Sequence, residues 1–355
     1  MRIGLLKETQ DARVGLVPET VIKLIREGHE VLVEDGAGES AFSSNQSYQD
    51  AGASIHSRAD VLSKAELLVS IDPPSNEELD ALKSGTKTLA MFLPLIKTEL
   101  ADKIKALDIE AYSMDRIPRT TIAQSMDVLS SMASLAGYKA VLVAANHLPS
   151  YFPMLMTAAG TIPPAKVLIL GAGVAGLQAI ATARRLGATV EAFDVRAAAR
   201  EEVESLGAKF VVVEGAQDDA DAGGYAVQQS EEYLQKQREL IHEKASKAHV
   251  IITTANIPGR KSPILVENRT VEAMQPGSVI VDLAAANGGN CELTENGKVV
   301  QKFGITIVGD SNLPASMPAD ASKLYSNNVF NFVKYVFKEE GVDDENEIVQ
   351  GTLIR

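Results

Sequence analysis

The sequence predicts an α/β protein made of two Rossmann-like, doubly wound domains with a cleft between them. Short apolar strands alternate with amphipathic helical segments, which is typical of a largely parallel sheet covered by helices. The chain has 355 residues, more than one core usually holds, so two domains are expected. A glycine-rich turn beginning at Gly171 directly follows an apolar strand, and it opens a second series of strands and helices.

The first half of the chain predicts these elements in order. Met1–Lys7 is an apolar strand, Glu19–Glu27 is an amphipathic helix that ends at Gly28, and His29–Glu34 is the next strand. Further short strands are predicted at residues 67–71, 88–93 and 109–113.

The middle of the chain departs from this alternation. Gln124–His147 is rich in Ala, Leu, Met and Val and predicts one long helix. The prolines of Tyr151–Pro163 predict a hinge or a projecting arm after that helix. No apolar run is expected to reach the roughly 18–20 residues of a membrane span, so the chain itself is expected to be soluble.

The second half returns to alternating strands and helices. Strands are predicted at residues 167–170, 189–193, 210–213, 249–253, 278–282 and 306–308. The polar stretch 214–229 predicts a mobile loop, although an inert insertion has the same composition. An amphipathic helix near 323–337 is expected to return to the first domain. We therefore expect one domain at 1–130 plus 320–355 and the other at 131–319.

Residues 167–176 read VLILGAGVAG, which is a strand, a GxGxxG turn and the start of a helix. Gly171 allows the tight turn, Gly173 lets the backbone approach a pyrophosphate, and Gly176 lets the helix pack on the strand. The helix N-terminus, with Val174 and Ala175, offers N–H groups and partial positive charge to phosphates. The pattern predicts a dinucleotide site.

Asp194 ends the next strand, where a carboxylate accepts hydrogen bonds from the adenosine ribose and repels a 2′-phosphate. We therefore expect NAD(H) rather than NADP(H), with Arg196 close by as a further contact. Ala255 and Asn256 follow a later strand and are predicted on the nicotinamide side. Two alternatives are open: a Rossmann-shaped domain without nucleotide, and ordinary turn chemistry for the Asn and Gly residues.

Composition excludes several other function classes. The formal net charge of −13 disfavours a nucleic-acid binder, which would more often be basic. The only cysteine, Cys291, cannot form an internal disulfide, and the five histidines are scattered, so no metal site is expected.

The segment PRTTIAQSMDVLSS at 118–131 carries the most specific family signal. With the glycine turn, it resembles the NAD(H)-binding domain I of the alpha subunit of proton-translocating NAD(P) transhydrogenases, in the alanine dehydrogenase/transhydrogenase family. The resemblance covers the whole chain. It implies that Arg119, Gln124, Asp127 and Ser130 surround the nicotinamide, the first three as catalytic residues. The family commonly has ProArgIleSerArg before the loop glutamine, whereas this chain reads RIPRTTIAQ.

The resemblance also implies a function and partners. Hydride would pass directly between NAD(H) on this chain and NADP(H) on a partner domain, coupled to proton movement in membrane-spanning partner subunits. The chain would form a homodimer, with the arm at 151–163 reaching the other subunit. It would lie on the cytoplasmic face of the inner membrane through its partners. A loop containing Tyr225 would close over the nucleotide.

Two other functions remain as alternatives. Alanine dehydrogenase has the same fold, and its substrate arginine has a counterpart here in Arg13. Its lysine, histidine and nicotinamide-side aspartate correspond to Asp72, Pro94 and Ala286, which cannot do the same acid–base or substrate-binding work. The third possibility is a non-catalytic NAD(H)-binding module.

Overall fold

The computed structural model describes residues 1–213, 230–256, 259–338 and 341–355. The described chain divides into two compact units: unit 1 is Met1–Met132 with Pro314–Arg355, and unit 2 is Ala133–Leu313. Each unit has its own largely parallel sheet with helices, so the predicted α/β class with two domains is confirmed. The loop predicted at 214–229, with Tyr225, lies outside the described residues.

In the described part of unit 1, six parallel strands form one sheet. They are β1 (Arg2–Leu5), β2 (Glu30–Glu34), β3 (Ser54–His56), β4 (Leu67–Val69), β5 (Lys87–Ala90) and β6 (Glu110–Ser113). The helices of this part are α1 (Pro18–Arg26), α2 (Asn45–Asp50), α3 (Arg58–Lys64), α4 (Asn76–Ala81) and α5 (Thr98–Lys105). The spatial order β3-β2-β1-β4-β5-β6 is that of a doubly wound Rossmann sheet.

Glu8 joins the carboxyl ends of β1 and β4. Its Oε1 accepts the N–H of Ile71 at 2.6 Å, and its Oε2 accepts the N–H of Asp72 at 3.2 Å. Burial raises the pKa of the Glu8 carboxyl to about 7, against the lowering effect of these two N–H groups. The connection therefore contains a carboxyl group that titrates near neutral pH.

The long helix α6 (Val128–His147) begins later than predicted. Ile122–Met126 forms a separate 3₁₀ turn, so the expected single helix from Gln124 is wrong at its start. The reason is local, because the Asp127 carboxylate accepts the N–H of Ser130 at 2.9 Å and its hydroxyl at 2.6 Å. This cap satisfies a donor in the first turn and sets the beginning of the helix.

Helix α6 also corrects the expectation about apolar length. It has 20 residues and is apolar enough to cross a membrane by length and composition. Ala140, Val141 and Ala144 on this helix belong to the buried core of unit 2. One helix of this length and composition is weak evidence by itself, so this property carries no membrane assignment.

The segment predicted as an arm contains an antiparallel hairpin of β7 (Leu155–Thr157) and β8 (Gly160–Ile162). Its apolar side chains are unusually open to solvent, since Met156 is 71% exposed and Met154 is 60% exposed. Such side chains are typical of a surface that another polypeptide covers.

In the described residues of unit 2, seven strands form the main sheet. They are β9 (Lys166–Leu170), β10 (Thr189–Phe193), β11 (Lys209–Val211), β12 (Val250–Thr253), β13 (Val279–Asp282), β14 (Val299–Lys302) and β15 (Ile305–Val308). Besides α6, which lies in this unit from Ala133 onward, the described helices are α7 (Val174–Arg185), α8 (Ala199–Ser205), α9 (Glu231–Ala245) and α10 (Asn268–Ala273). The order β11-β10-β9-β12-β13-β15-β14 repeats the Rossmann pattern, and only β14 pairs antiparallel.

Two C-terminal helices complete unit 1: α11 (Pro318–Val336) and α12 (Glu347–Thr352). The Tyr325 hydroxyl donates to the carbonyl of Ser70 at 2.9 Å, and the Ser322 hydroxyl accepts the N–H of Val14 at 2.9 Å. The last long helix starts at Pro318 rather than near Lys323, and these bonds join it to the first part of the chain.

Glu8→Gln is expected to change the pH dependence of stability. Burial raises the folded-state pKa of Glu8 from 4.5 to about 7, so the folded chain binds more protons than the unfolded chain between these pH values. This stabilising contribution is complete below the unfolded pKa and is lost as pH rises through about 7. Thermal denaturation should show the wild-type Tm falling more steeply than the variant's Tm between about pH 5 and pH 8.

Glu66→Gln is the matched control, because the backbone N–H of Arg2 holds the pKa of Glu66 below its usual value and outside that window. Parallel Tm curves for wild type and Glu8→Gln would contradict the assignment.

Candidate functional site

The turn after β9 is built from close backbone approaches. Gly171 has φ +103°, and a Cβ there would lie 2.5 Å from the Thr254 hydroxyl oxygen. A Cβ on Gly176 would lie 1.9 Å from the carbonyl oxygen of Gly171. Both positions therefore require glycine, for conformation at the first and for helix–strand packing at the second.

Gly173 differs from these two glycines because the space beside it is open. Among the described residues other than Gly173 and its two chain neighbours, no atom lies within 4 Å of the position that a Cβ would take. Gly173 is also the N-cap of α7, and no described side chain caps this end of the helix. The first N–H groups of α7, with Val174 and Ala175 in its first turn, are thus available to an anion. This cradle fits a pyrophosphate.

Gly137 supports the turn from the other side and was not identified from the sequence. It lies on α6, and a Cβ there would be 2.1 Å from the carbonyl oxygen of Ala175 in the first turn of α7. Glycine inside a helix costs about 1 kcal/mol relative to alanine, so its presence within α6 was the available signal. Close packing of α6 on α7 explains the residue.

Asp194 and Arg196 form one compact group at the end of β10. The Asp194 carboxylate accepts the N–H of Ala172 at 2.7 Å and the N–H of Arg196 at 2.9 Å. The Arg196 guanidinium binds both carboxylate oxygens, from Nε and from Nη2, each at 2.9 Å. Asp194 therefore fixes the glycine turn, and it lies where an acceptor for the ribose is expected. Arg196 partly neutralises the charge of the Asp194 carboxylate.

The loop after β12 lies on the same sheet edge as the turn, because β12 is the direct neighbour of β9. The Thr254 hydroxyl donates to the carbonyl oxygen of Gly171 at 2.9 Å. The N–H of Ala255 donates to the Asn290 side chain at 3.0 Å, and the Asn256 Oδ1 accepts from Asn287 at 2.8 Å. The predicted residues Ala255 and Asn256 are thus held beside the carboxyl ends of the strands, where ligands of such sheets bind.

The Arg119–Ser130 segment belongs to unit 1. Arg119 and Gln124 are exposed, whereas Asp127 and Ser130 are partly buried and hydrogen-bonded to each other. Side-chain amides of α11 bind the carbonyl of Ser125 and fix the 3₁₀ turn. The structure thus brings Asp127 and Ser130 together and leaves the other two polar side chains at the surface of a fixed segment.

Two doubly wound sheets, one with a glycine turn and an uncapped helix N-terminus, define a two-domain dinucleotide-binding protein. Residues 4–136 match the family model "Alanine dehydrogenase/PNT, N-terminal domain". Residues 140–355 match the model "Alanine dehydrogenase/PNT, C-terminal domain". The chain therefore belongs to the alanine dehydrogenase/PNT family.

Relatives and solved structures agree with this assignment. The NAD(P) transhydrogenase subunit alpha of Haemophilus influenzae is 40% identical over 361 residues, covering 100% of this chain and 70% of that protein. The crystal structure of transhydrogenase from Sinorhizobium meliloti has a TM-score of 0.91 and 42% identity, covering 99% of this chain and 98% of that one. Alanine dehydrogenase of Mycolicibacterium smegmatis is 29% identical, covering 94% and 86% respectively.

The family resemblance predicted from the sequence is thereby confirmed, and so is the cofactor. The chain binds NAD(H), as members of this family do.

Asp194→Ala is expected to weaken NADH binding by about tenfold, because one hydrogen-bonded acceptor for the ribose and one anchor of the glycine turn are lost. It should also release Arg196, which can then attract a 2′-phosphate, so the affinity for NADPH relative to NADH should rise. Fluorescence titration with both nucleotides measures these effects.

Glu204→Ala serves as the control, since Glu204 forms an exposed ion pair with Arg200 in the same unit. An unchanged NADH dissociation constant in Asp194→Ala would show that the ribose binds elsewhere.

Proposed function

We propose that this chain is the NAD(H)-binding component of a proton-translocating NAD(P) transhydrogenase. In this proposal it takes part in direct hydride transfer between its own NAD(H) and NADP(H) bound on a partner domain. Similarity along the whole chain to transhydrogenase alpha subunits supports it. The observation that carries it against the dehydrogenase alternative is the environment of Arg13.

The Arg13 guanidinium is bound by a carboxylate of its own chain. Its Nε donates to Asp11 Oδ1 at 2.9 Å, its Nη2 donates to Asp11 Oδ2 at 2.5 Å, and its Nη1 contacts Met132 Sδ at 3.2 Å. The two side chains of the pair are 7% and 3% exposed. A two-point contact of this kind is what an arginine offers to the carboxylate of an oxo acid. Such a substrate would have to displace Asp11 from a buried ion pair.

The residues at the positions where a dehydrogenase of this family has its acid–base and substrate-binding groups are also unsuited to that chemistry. Reducing an imine made from an oxo acid requires a residue that donates and accepts protons beside the reacting carbon. Pro94 and Ala286 have side chains that do neither, and Asp72 brings negative charge where an anionic substrate would bind. These residues favour a reaction that exchanges no proton with the protein.

Transfer between two nicotinamide rings is such a reaction. Bound NADH supplies the hydride from C4 of its ring, and the protein contributes position and exclusion of water. In this proposal the exposed Arg119 and Gln124 orient the nicotinamide and meet the partner nucleotide. The hydrogen bond between Asp127 and Ser130 holds the start of α6 and leaves the remaining Asp127 lone pairs for the ring's carboxamide.

The proposal includes partners. Exposed Met154 and Met156, before and within the β7–β8 hairpin, support a homodimer in which this segment contacts the second copy. A membrane-spanning partner would conduct protons and hold the complex at the cytoplasmic face of the inner membrane. The remaining alternative, a non-catalytic NAD(H)-binding module, needs neither a hydride acceptor nor a membrane partner.

One pair of assays separates the three functions. The first contains this chain, NADH, an oxidised NAD analogue and a purified NADP-binding transhydrogenase domain loaded with NADP. The second contains this chain, NADH, pyruvate and ammonia. We expect reduction of the analogue in the first and no NADH oxidation in the second. NADH oxidation in the second assay identifies a dehydrogenase, and no turnover in either identifies a binding module.

Arg119→Ala and Gln124→Ala are expected to slow hydride transfer roughly tenfold or more while changing NADH affinity by less than about threefold. Loss of orientation raises the barrier for transfer more than it removes ground-state contacts. Stopped-flow rates and equilibrium titrations give the two numbers. Arg26→Ala, at an exposed arginine of α1, is the control, and equal losses of rate and affinity would contradict the orienting role.

A further inference from the structure

Asn290 uses its side-chain amide entirely on the main chain of another loop. Its Oδ1 accepts the N–H of Ala255 at 3.0 Å. Its Nδ2 donates to the carbonyl of Ala255 and to the carbonyl of Pro263, each at 2.8 Å. The residue is 0% exposed, so it has no surface to offer a ligand directly. A side chain with two donors and an acceptor is needed for this set of bonds.

The position of Asn290 is itself fixed by a buried carboxylate. Asp282, at the end of β13, is 0% exposed. Its oxygens accept the N–H groups of Ala284, Asn290 and Cys291 and the hydroxyls of Thr253 and Thr294, at 2.7–3.0 Å. Several hydrogen bonds of this kind compensate for burying the charge. The loop after β13 is therefore folded around one carboxylate.

The loop that Asn290 binds is also hydrogen-bonded to the glycine turn. Ala255 follows Thr254, whose hydroxyl donates to the carbonyl oxygen of Gly171. The turn and the two loops thus form one connected frame at the carboxyl ends of β9, β12 and β13. These strands are neighbours in the sheet, and the loops come from its β12–β13 side. Asp194 lies on the opposite side of β9, at the end of β10.

This division of the sheet edge separates the two halves of a bound dinucleotide. In doubly wound sheets the adenosine half binds beside the acidic residue that follows the second strand, here Asp194, and the pyrophosphate crosses the glycine-rich turn. The nicotinamide half would then lie over β12 and β13. We infer that Asn290 is a positioning residue for the nicotinamide half of NAD(H), acting through the main chain of Ala255. The inference rests on the proposed NAD(H) component and adds a residue that never touches the nucleotide.

Asn290→Asp is the sharpest variant because it nearly preserves shape. A carboxylate can still accept the N–H of Ala255, but it opposes the carbonyls of Ala255 and Pro263 and lies close to Asp282. Asn290→Ser removes the same donors without adding charge. The loop after β12 should shift in both variants, while the Asp194 side of the turn stays in place.

The test compares two ligands on the full chain. Isothermal titration with NADH and with ADP-ribose, which lacks the nicotinamide, gives an affinity ratio for each variant. We expect NADH binding to weaken about tenfold in Asn290→Asp, with ADP-ribose affinity changed by less than about twofold. Asn296→Asp is the control, since Asn296 is an exposed asparagine bonded to the Ser311 hydroxyl, and both affinities should be unchanged.

Equal weakening of both ligands would overturn the inference, because Asn290 would then act on the whole domain. Unchanged NADH affinity would overturn it too. If neither Asn290 variant folds, Thr294→Val removes one hydroxyl bond to Asp282 and must give the same selective loss, smaller in size, for the inference to stand. Wild-type chain that binds neither ligand would contradict the proposed function itself, which distinguishes the two failures.

Discussion

The nucleotide site depends on close backbone packing around the first turn of α7. Gly176 brings the helix onto the carbonyl of Gly171, and Gly137 brings α6 onto the carbonyl of Ala175. The helix N-terminus is thus fixed from two sides, and no side chain of the described residues caps it. Its N–H groups are oriented before any ligand arrives, which reduces the entropy lost on binding.

In each of the two units, carboxylates are used to hold the chain itself. Asp194 binds the main chain of the glycine turn, and Asp282 binds the main chain of the loop after β13. Asp127 caps the first turn of α6, and Asp11 forms an ion pair with Arg13. Each of them accepts hydrogen bonds from its own polypeptide. Carboxylates held in this way make the loops rigid, and they are poorly suited to carry protons because their oxygens already accept hydrogen bonds from the chain. The arrangement suits a protein whose contribution is placement of a nucleotide.

Much of this structure follows from local sequence signals, and the rest depends on contacts between distant residues. Apolar alternation and the spacing of Gly171, Gly173 and Gly176 predicted the doubly wound class and the turn, because both are determined by nearby residues. The start of α6 was mispredicted, since the Asp127 cap outweighs helical propensity in the preceding residues. The bonds between Asn290 and Ala255 join positions 35 residues apart, and no periodic pattern reports them.

The buried pair of Asp11 and Arg13 has a consequence for the redesign of this chain. Removing Asp11 alone takes away the carboxylate that binds a buried guanidinium at two points, which is expected to destabilise the fold. Introducing a proton donor at position 94 alone leaves Arg13 bound to Asp11. A variant designed to oxidise amino acids would therefore need changes at both positions together, with the substrate carboxylate taking the place of Asp11.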